Sequence, residues 1–307
     1  MALSEARPPA AGLSPAAGSS DAADVLRLDT LGERDIDAGL ALSDAAGWNQ
    51  TGGDWALFIR HGRAIGLRDA GGEWVATAAA LPYGRERGWI SMVLVADAWR
   101  HRGLASRLMD DCVAHLRAAG IVPVLDATPA GAAVYRRIGF VPGFEIDRWE
   151  RLASSADAER PPIGKSSPAG LADLDALVAL DTAATGLDRR FLLADFLSRP
   201  ETRAWRADRG RGFVIARAGR RATQIGPLAA SDVAQAAALL DTAIAAASRD
   251  AGRPIFLDLP RAHRSLAERL ERQGFVRQRP FVRMSLAATE APRLGNGMFV
   301  LAGPEFG

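Results

Sequence analysis

Short apolar blocks alternate with polar ones along this chain, and the spacing within blocks switches repeatedly between strand-like and helix-like periods. Val25–Asp29 predicts a short strand, and Gly32–Ala46 predicts a helix with Ile36, Leu40 and Leu42 on one side. Trp55–His61 continues as a second helix after the turn-forming Thr51-Gly52-Gly53. Strand-like runs follow at Arg63–Arg68, Trp74–Ala80 and Trp89–Val95, separated by Ala70-Gly71-Gly72 and Pro82-Tyr83-Gly84, as in an antiparallel meander. Leu104–Ala119 then places Leu104, Leu108, Cys112, Val113 and Leu116 on a shared helical face and stops at Gly120. Val122–Asp126 predicts a buried strand, Ala130–Arg137 a helix, and Phe140–Arg151 a closing strand or hairpin.

The stretch Ala153–Ser167 holds Ser, Ala, Pro and Gly with little periodicity and predicts a linker. Beyond it the plan recurs. Helices are expected at Leu174–Thr182 and Arg190–Leu197, and strands at Arg203–Arg206, Phe213–Arg217 and Ala222–Ile225. A long helix at Ser231–Ala247, a strand at Pro254–Leu259, a helix at Leu266–Arg272 and a strand at Phe275–Met284 complete the second round. Echoes recur in the same order: Ser43-Asp44-Ala45-Ala46-Gly47 with Asp181–Gly186, Leu125-Asp126 with Leu257-Asp258, and Gly139-Phe140-Val141 with Gly274-Phe275-Val276. The expected organisation is a mobile tail over 1–23, a first α/β domain over 24–152, the linker 153–167, and a second domain over 168–307.

Composition narrows the function classes. The 38 Lys and Arg against 36 Asp and Glu leave a formal charge of +2, and the arginines are spread rather than clustered, so no nucleic acid partner is expected. Nowhere does an apolar run reach the length of a membrane span, and the Ala/Pro/Gly/Ser-rich first residues lack the basic and apolar regions of a signal peptide. The single cysteine, Cys112, excludes an intrachain disulfide, and the four scattered histidines show no metal-ligand spacing. A cytoplasmic, metal-free protein is the expectation.

The stretch Ile90–Ala105 carries the chemistry. An apolar strand ends near Val95, and Arg100-His101-Arg102-Gly103-Leu104-Ala105 leads into a helix. A helix N-terminus presents free N–H groups and a positive dipole end to an anion. Gly103 and small Ala105 let backbone approach phosphates closely, while Arg100 and Arg102 add cationic donors. These residues by themselves indicate a phosphate-bearing ligand at a strand-to-helix turn.

The pattern Arg-x-x-Gly-x-Ala after an apolar strand resembles the signature of the GNAT superfamily of N-acetyltransferases. Downstream, Asp126–Phe140 resembles that family's second motif, ending in Tyr135-x-x-x-Gly139-Phe140. The resemblance covers residues 25–151. In the second half, Ile225-Gly226-Pro227-Leu228-Ala229-Ala230-Ser231 stands where the phosphate loop should be, Pro227 lacks a backbone donor, and no tyrosine stands near Leu270. The chain therefore resembles tandem GNAT proteins with a degenerate second copy, and Gly47–Thr51 and Ala302–Gly307 are also similar to that subgroup. The implied fold is two GNAT-like α/β (α+β) domains, each a mixed, mostly antiparallel twisted sheet flanked by helices.

The resemblance implies acetyl-CoA as co-substrate and acetyl transfer to a primary amine by direct attack in a ternary complex. It assigns cofactor binding to Val93, Leu94, Val95, Arg100, His101, Arg102, Gly103, Leu104, Ala105, Ser106 and Thr128, with Val93–Val95 offering backbone to the pantetheine arm. Tyr135 is assigned to protonating the departing thiolate, and a phenol of pKa about 10 suits that donation. Asp126, at the carboxyl end of its strand, is a candidate base and equally a turn residue before Pro129. Trp48 and Asn49 fall in the loop that lines the acceptor side, where Trp48 stacks on substrate or plugs the domain interface. Cys112 sits on a core-facing side of its helix and is a poor nucleophile, consistent with direct attack. The expected acceptor is a small-molecule amine, met by a monomeric pseudo-dimer or a homodimer. Two alternatives are acetylation of protein N-termini or lysines and a non-catalytic acyl-CoA sensor.

Overall fold

The computed structural model describes residues 26–153, 166–207, 210–249, 252–286 and 291–307. The expected tail over 1–23 and most of the expected linker lie outside the described residues. The first round of elements runs β1 (Arg27–Thr30), α1 (Ile36–Ala45), α2 (Gly52–His61), β2 (Arg63–Arg68), β3 (Trp74–Tyr83), β4 (Arg87–Val95), α3 (Leu104–Ala118), β5 (Val122–Ala127), α4 (Pro129–Arg137) and β6 (Val141–Leu152). The second runs β7 (Ser166–Ala169), α5 (Leu174–Thr185), α6 (Arg190–Ser198), β8 (Arg203–Ala207), β9 (Gly212–Ala218), β10 (Thr223–Ala230), α7 (Val233–Ala247), β11 (Pro254–Pro260), α8 (Arg264–Arg272), β12 (Val276–Ser285) and β13 (Met298–Val300).

Local sequence explains many of these boundaries. Thr51 caps α2 reciprocally with Asp54, whose carboxylate accepts the Thr51 N–H at 2.7 Å. Thr128 caps α4 ahead of Pro129, which at the first helical position withholds an N–H the helix would not have used. Three features go beyond the expected elements. Of the strand or hairpin expected at Phe140–Arg151, residues 141–152 form the single long strand. β10 continues past Gly226-Pro227 to Ala230, because β9 pairs with it on both sides of a bulge between Ile225 and Leu228. The short strands β7 and β13 carried too few residues to show a period.

The 13 strands among the described residues join one sheet in the order β1-β2-β3-β4-β5-β12-β6-β11-β10-β9-β8-β7, with β13 on β10. The last strand of each round has crossed over: β12 lies beside β5 of the first round, and β6 lies beside β11 of the second. Corresponding arginines on the crossed strands make the exchange reciprocal. Arg283 on β12 holds Asp126 of β5 with both nitrogens, at 2.8 and 2.7 Å. Arg148 on β6 holds Asp258 of β11 in the same way, at 2.9 and 2.8 Å. Each pair is a planar two-point contact between a guanidinium and a carboxylate, which fixes strand register as well as charge.

Helices cover the sheet in three packed clusters. Leu104, Leu108, Cys112 and Leu116 of α3 pack on the first round's strands, and Leu239, Leu240, Ala243 and Leu266 pack on the second's. The third cluster joins the two rounds, with Trp55 and Phe58 of α2 meeting Phe196 of α6 and Phe306 of the closing segment. The rings of Phe58 and Phe306 stack at 5.0 Å. Among the described residues no helix is long and apolar enough to cross a membrane.

Candidate active site

The parallel strands β4 and β5 pair only from Arg87↔Val122 to Trp89↔Val124 and then separate. A bulge helps drive them apart: Met92 and Val93 together face one residue of β3, and Met92 takes a left-handed φ of 54°. Thr77 locks this kink by donating its hydroxyl to the Met92 carbonyl at 3.0 Å. The separation leaves the edges of Val93–Val95 and of Leu125–Thr128 facing a gap.

The gap opens into a cavity of about 520 Å³ lined by both rounds. Ile90–Val93, Leu125–Thr128, Gly131 and Tyr135 form its first wall, with Trp48 and Asn49 at one side. Arg148, Phe256, Arg279, Phe281 and Glu305 form the opposite wall. The crossed strands therefore create the site, since Arg279 and Phe281 lie on β12 and Arg148 on β6.

Beyond the gap stands the N-terminus of α3. Gly103 caps it at a left-handed φ of 75° without a side-chain acceptor, the first turn carries no acidic residue, and Arg107 makes the first return bond, to Gly103. The N–H groups of Leu104, Ala105 and Ser106 thus remain available to an anion. A Cβ at Gly103 would meet nothing within 4 Å, so the backbone here borders open space. Arg100 pairs with Asp97 at 2.8 Å, Arg102 lies over the Trp99 ring, and His101, also at positive φ, is exposed in the loop. These features fit a pyrophosphate lying across the loop, with its attached chain leading along β4 into the gap.

Tyr135 is half-buried on α4, its ring 5.9 Å from that of Phe140, and burial raises its phenol above the ordinary value of 10.0. Among the described residues its hydroxyl has no hydrogen-bond partner. It stays protonated through neutral pH and is free to donate.

Asp126 is in the cavity wall, but both its oxygens are committed to Arg283 and its side chain is fully buried. Burial raises its carboxyl despite Arg283. This geometry corrects the expectation for Asp126 toward a fixed element of the wall, because a base needs a lone pair directed at the amine. Asn49 is similarly occupied: its Oδ1 accepts the N–H groups of Arg221 and Ala222, both at 2.9 Å, and so clamps the β9–β10 hairpin to the first round. Trp48 is partly buried against the shared core while lining the cavity. Cys112 is buried, and desolvation pushes its thiol up to about 12, which leaves it unreactive.

The second round has a counterpart of this gap, and it is filled. β10 and β11 pair at Thr223–Ile225, and β13 then pairs with Leu228 and Ala229 of β10 while Leu301 donates to the Asp258 carbonyl at 3.0 Å. The N-terminus of α7 is capped by its own Asp232, which accepts the Gln235 N–H at 2.8 Å and places a negative charge where an anion would bind. Sequence reasoning missed Arg148, Phe256, Arg279, Phe281 and Glu305 as wall residues. Arg148, Phe256, Arg279 and Phe281 lie on strands whose partners come from the other round, and Glu305 lies in the closing segment after β13.

A GNAT acetyltransferase family model matches residues 40–140, and a second acetyltransferase (GNAT) domain model matches residues 177–299. The chain belongs to the GNAT acyltransferase family and carries two GNAT domains in tandem. A putative acetyltransferase from Pyrococcus horikoshii superimposes with a TM-score of 0.76 at 18% identity, over 92% of this chain and 96% of its own. A tandem GNAT protein from the clavulanic acid biosynthesis pathway gives 0.62 at 15% identity, over 87% and 100%. A GCN5-related N-acetyltransferase from Sphaerobacter thermophilus gives 0.59 at 17%, over 88% and 98%. No curated protein matches the sequence. Among the described residues no cluster of His, Cys, Asp and Glu could hold a metal ion.

Proposed function

We propose that the protein transfers an acetyl group from acetyl-CoA to the primary amine of a small molecule, within the first domain and without an acyl-enzyme. The observation that carries this reading is the contrast between the two gaps: that between β4 and β5 is open, beside an uncapped α3, whereas that between β10 and β11 is filled by β13. Leu104, Ala105 and Ser106, with Arg100 and Arg102, hold the pyrophosphate. The backbone of Val93–Val95 pairs with the pantetheine arm, and an N–H from the bulged stretch polarises the acetyl carbonyl where negative charge develops. Tyr135 gives its proton to the departing sulfur.

A small acceptor is supported by the cavity, which Arg148 of the crossed β6 and Phe256, Phe281 and Glu305 of the second domain wall in. Arg221 and Arg279 are exposed at the cavity and have no carboxylate within 4 Å among the described residues, which favours an amine that also carries an anionic group. Tyr135→Phe tests the chemistry. Acetyl-CoA affinity should be preserved by calorimetry while turnover with amines, followed by free-thiol release, falls at least about 100-fold. Undiminished turnover would remove Tyr135 from the reaction.

A further inference from the structure

Among the described residues the cavity wall contains two carboxylates, and Asp126 is spent on Arg283. The other is Glu305, which reaches the site in an unusual way. After β13 fills the gap of the second domain, the chain turns through Gly303-Pro304 and enters the shared core. There Tyr83 donates to the Phe306 carbonyl at 2.8 Å and Arg189 donates to that of Gly307. Glu305 is 7% exposed and is among the residues that line the cavity. Arg217 donates to its Oε1 at 3.2 Å, and its Oε2 is buried with no hydrogen-bond partner among the described residues. A buried carboxylate oxygen without a donor is costly unless something completes it.

We infer that Glu305 is the group that receives the acceptor's ammonium and takes its proton. This inference rests on the amine acetyltransferase reading above. Glu305 accepts a hydrogen bond from the ammonium and removes one proton, becoming a neutral carboxylic acid and leaving a free amine lone pair. That lone pair forms the C–N bond at the thioester carbonyl as the C–S bond breaks, and Tyr135 protonates the sulfur. The second proton lost from nitrogen restores Tyr135 through solvent in the cavity, and Glu305 releases its own to bulk water. The net release is one proton for each amide and thiol formed.

The surroundings suit this cycle. Burial raises the Glu305 carboxyl, and Asp54 of α2 adds to that, while Arg217 of β9 and Arg148 of β6 oppose it. Arg217 is itself shared with Asp54 at 3.4 Å, and Asp54 also takes Arg199, just past α6, at 2.8 Å, so Glu305 competes for a cation already engaged. A carboxylate so placed is a stronger base than one in water, and it is held by a segment the second domain anchors. The degenerate domain thus gives up its own gap to deliver the acceptor-side group of the first.

The test uses the full chain with saturating acetyl-CoA and a panel of glycine, L-lysine, L-glutamate and methylamine, read by free-thiol release. Glu305→Gln keeps the shape and the bond from Arg217. It should leave acetyl-CoA binding unchanged, lower kcat/KM for the best panel amine at least 100-fold, and shift the rise of the pH profile to the pKa of the free amine. Glu305→Ala should recover part of its rate on addition of formate, a response that a purely structural residue does not give. Wild-type rates and pH profile in Glu305→Gln, or no formate rescue in a folded Glu305→Ala, would overturn the inference alone. Silence of the wild-type protein toward the whole panel, with acetyl-CoA bound, would overturn the amine reading and this inference together.

Discussion

Removing Arg283 tests whether the crossing of β6 and β12 holds the molecule and its site together. Its guanidinium makes both hydrogen bonds to a fully buried Asp126 and lies 4.5 Å from the Trp89 ring and 5.0 Å from that of Phe144. Arg283→Met keeps most of the apolar stem and deletes the charge, leaving a desolvated carboxylate without a partner. Breaking a buried pair from one side costs about 3–5 kcal/mol. For a chain of this size that is a fall in melting temperature on the order of 10 °C. Replacing both partners, as Arg283→Met with Asp126→Leu, should recover most of the loss, because no buried charge then remains. The pH dependence has a definite sign. Without Arg283, burial holds the folded-state pKa of Asp126 above its unfolded value of 3.8. The folded protein then binds the extra proton, so the deficit is small in acid and grows as pH rises toward that folded pKa. Urea unfolding of the four proteins at pH 5 and pH 8 measures the coupling. A single-variant loss under about 1 kcal/mol, or strictly additive losses in the double variant, would refute this role for the pair.

Two further outcomes follow from the same geometry. Gly103→Glu should abolish acetyl-CoA binding by calorimetry, since a carboxylate there enters the open space beside the free N–H groups of α3 and Gly103 sits at positive φ; intact binding would place the cofactor elsewhere. For Asp35, burial favours the neutral form, but the Gly32 N–H, Trp74 and Arg68 outweigh it and lower the pKa. That contribution is present above the unfolded value and lost as pH falls through the lower folded one. Asp35→Asn should therefore cost roughly 1–3 kcal/mol at pH 7 and less near pH 2, and an equal cost at both would contradict it.

Much of the site's first wall was legible in the chain itself. The strand ending at Val95, Gly103 before a helix, and Tyr135 ahead of Gly139-Phe140 are local features, fixed by turn chemistry and helix periodicity over a few residues. The same holds for the degeneracy of the second copy, where Pro227 removes a backbone donor from the loop, while the Asp232 cap came to light only in the fold.

The pairing of the site's polar groups belongs to tertiary structure. Asp126, Asn49 and Glu305 lie in stretches that resemble the family, but the residues around them do not reveal what each side chain meets. Nothing nearby in the chain distinguishes the carboxylate tied to Arg283, the amide clamping Arg221 and Ala222, and the carboxylate with a bare oxygen. Their partners lie 88 or more residues away or are missing among the described residues, and those relations arise only when the closing strands cross. Short-range chemistry sets which copy keeps an open turn before its long helix, because backbone conformation at a helix start depends on a few neighbouring residues. Only the folded molecule decided what faces that loop, since burial and pairing depend on which distant strands come to lie side by side.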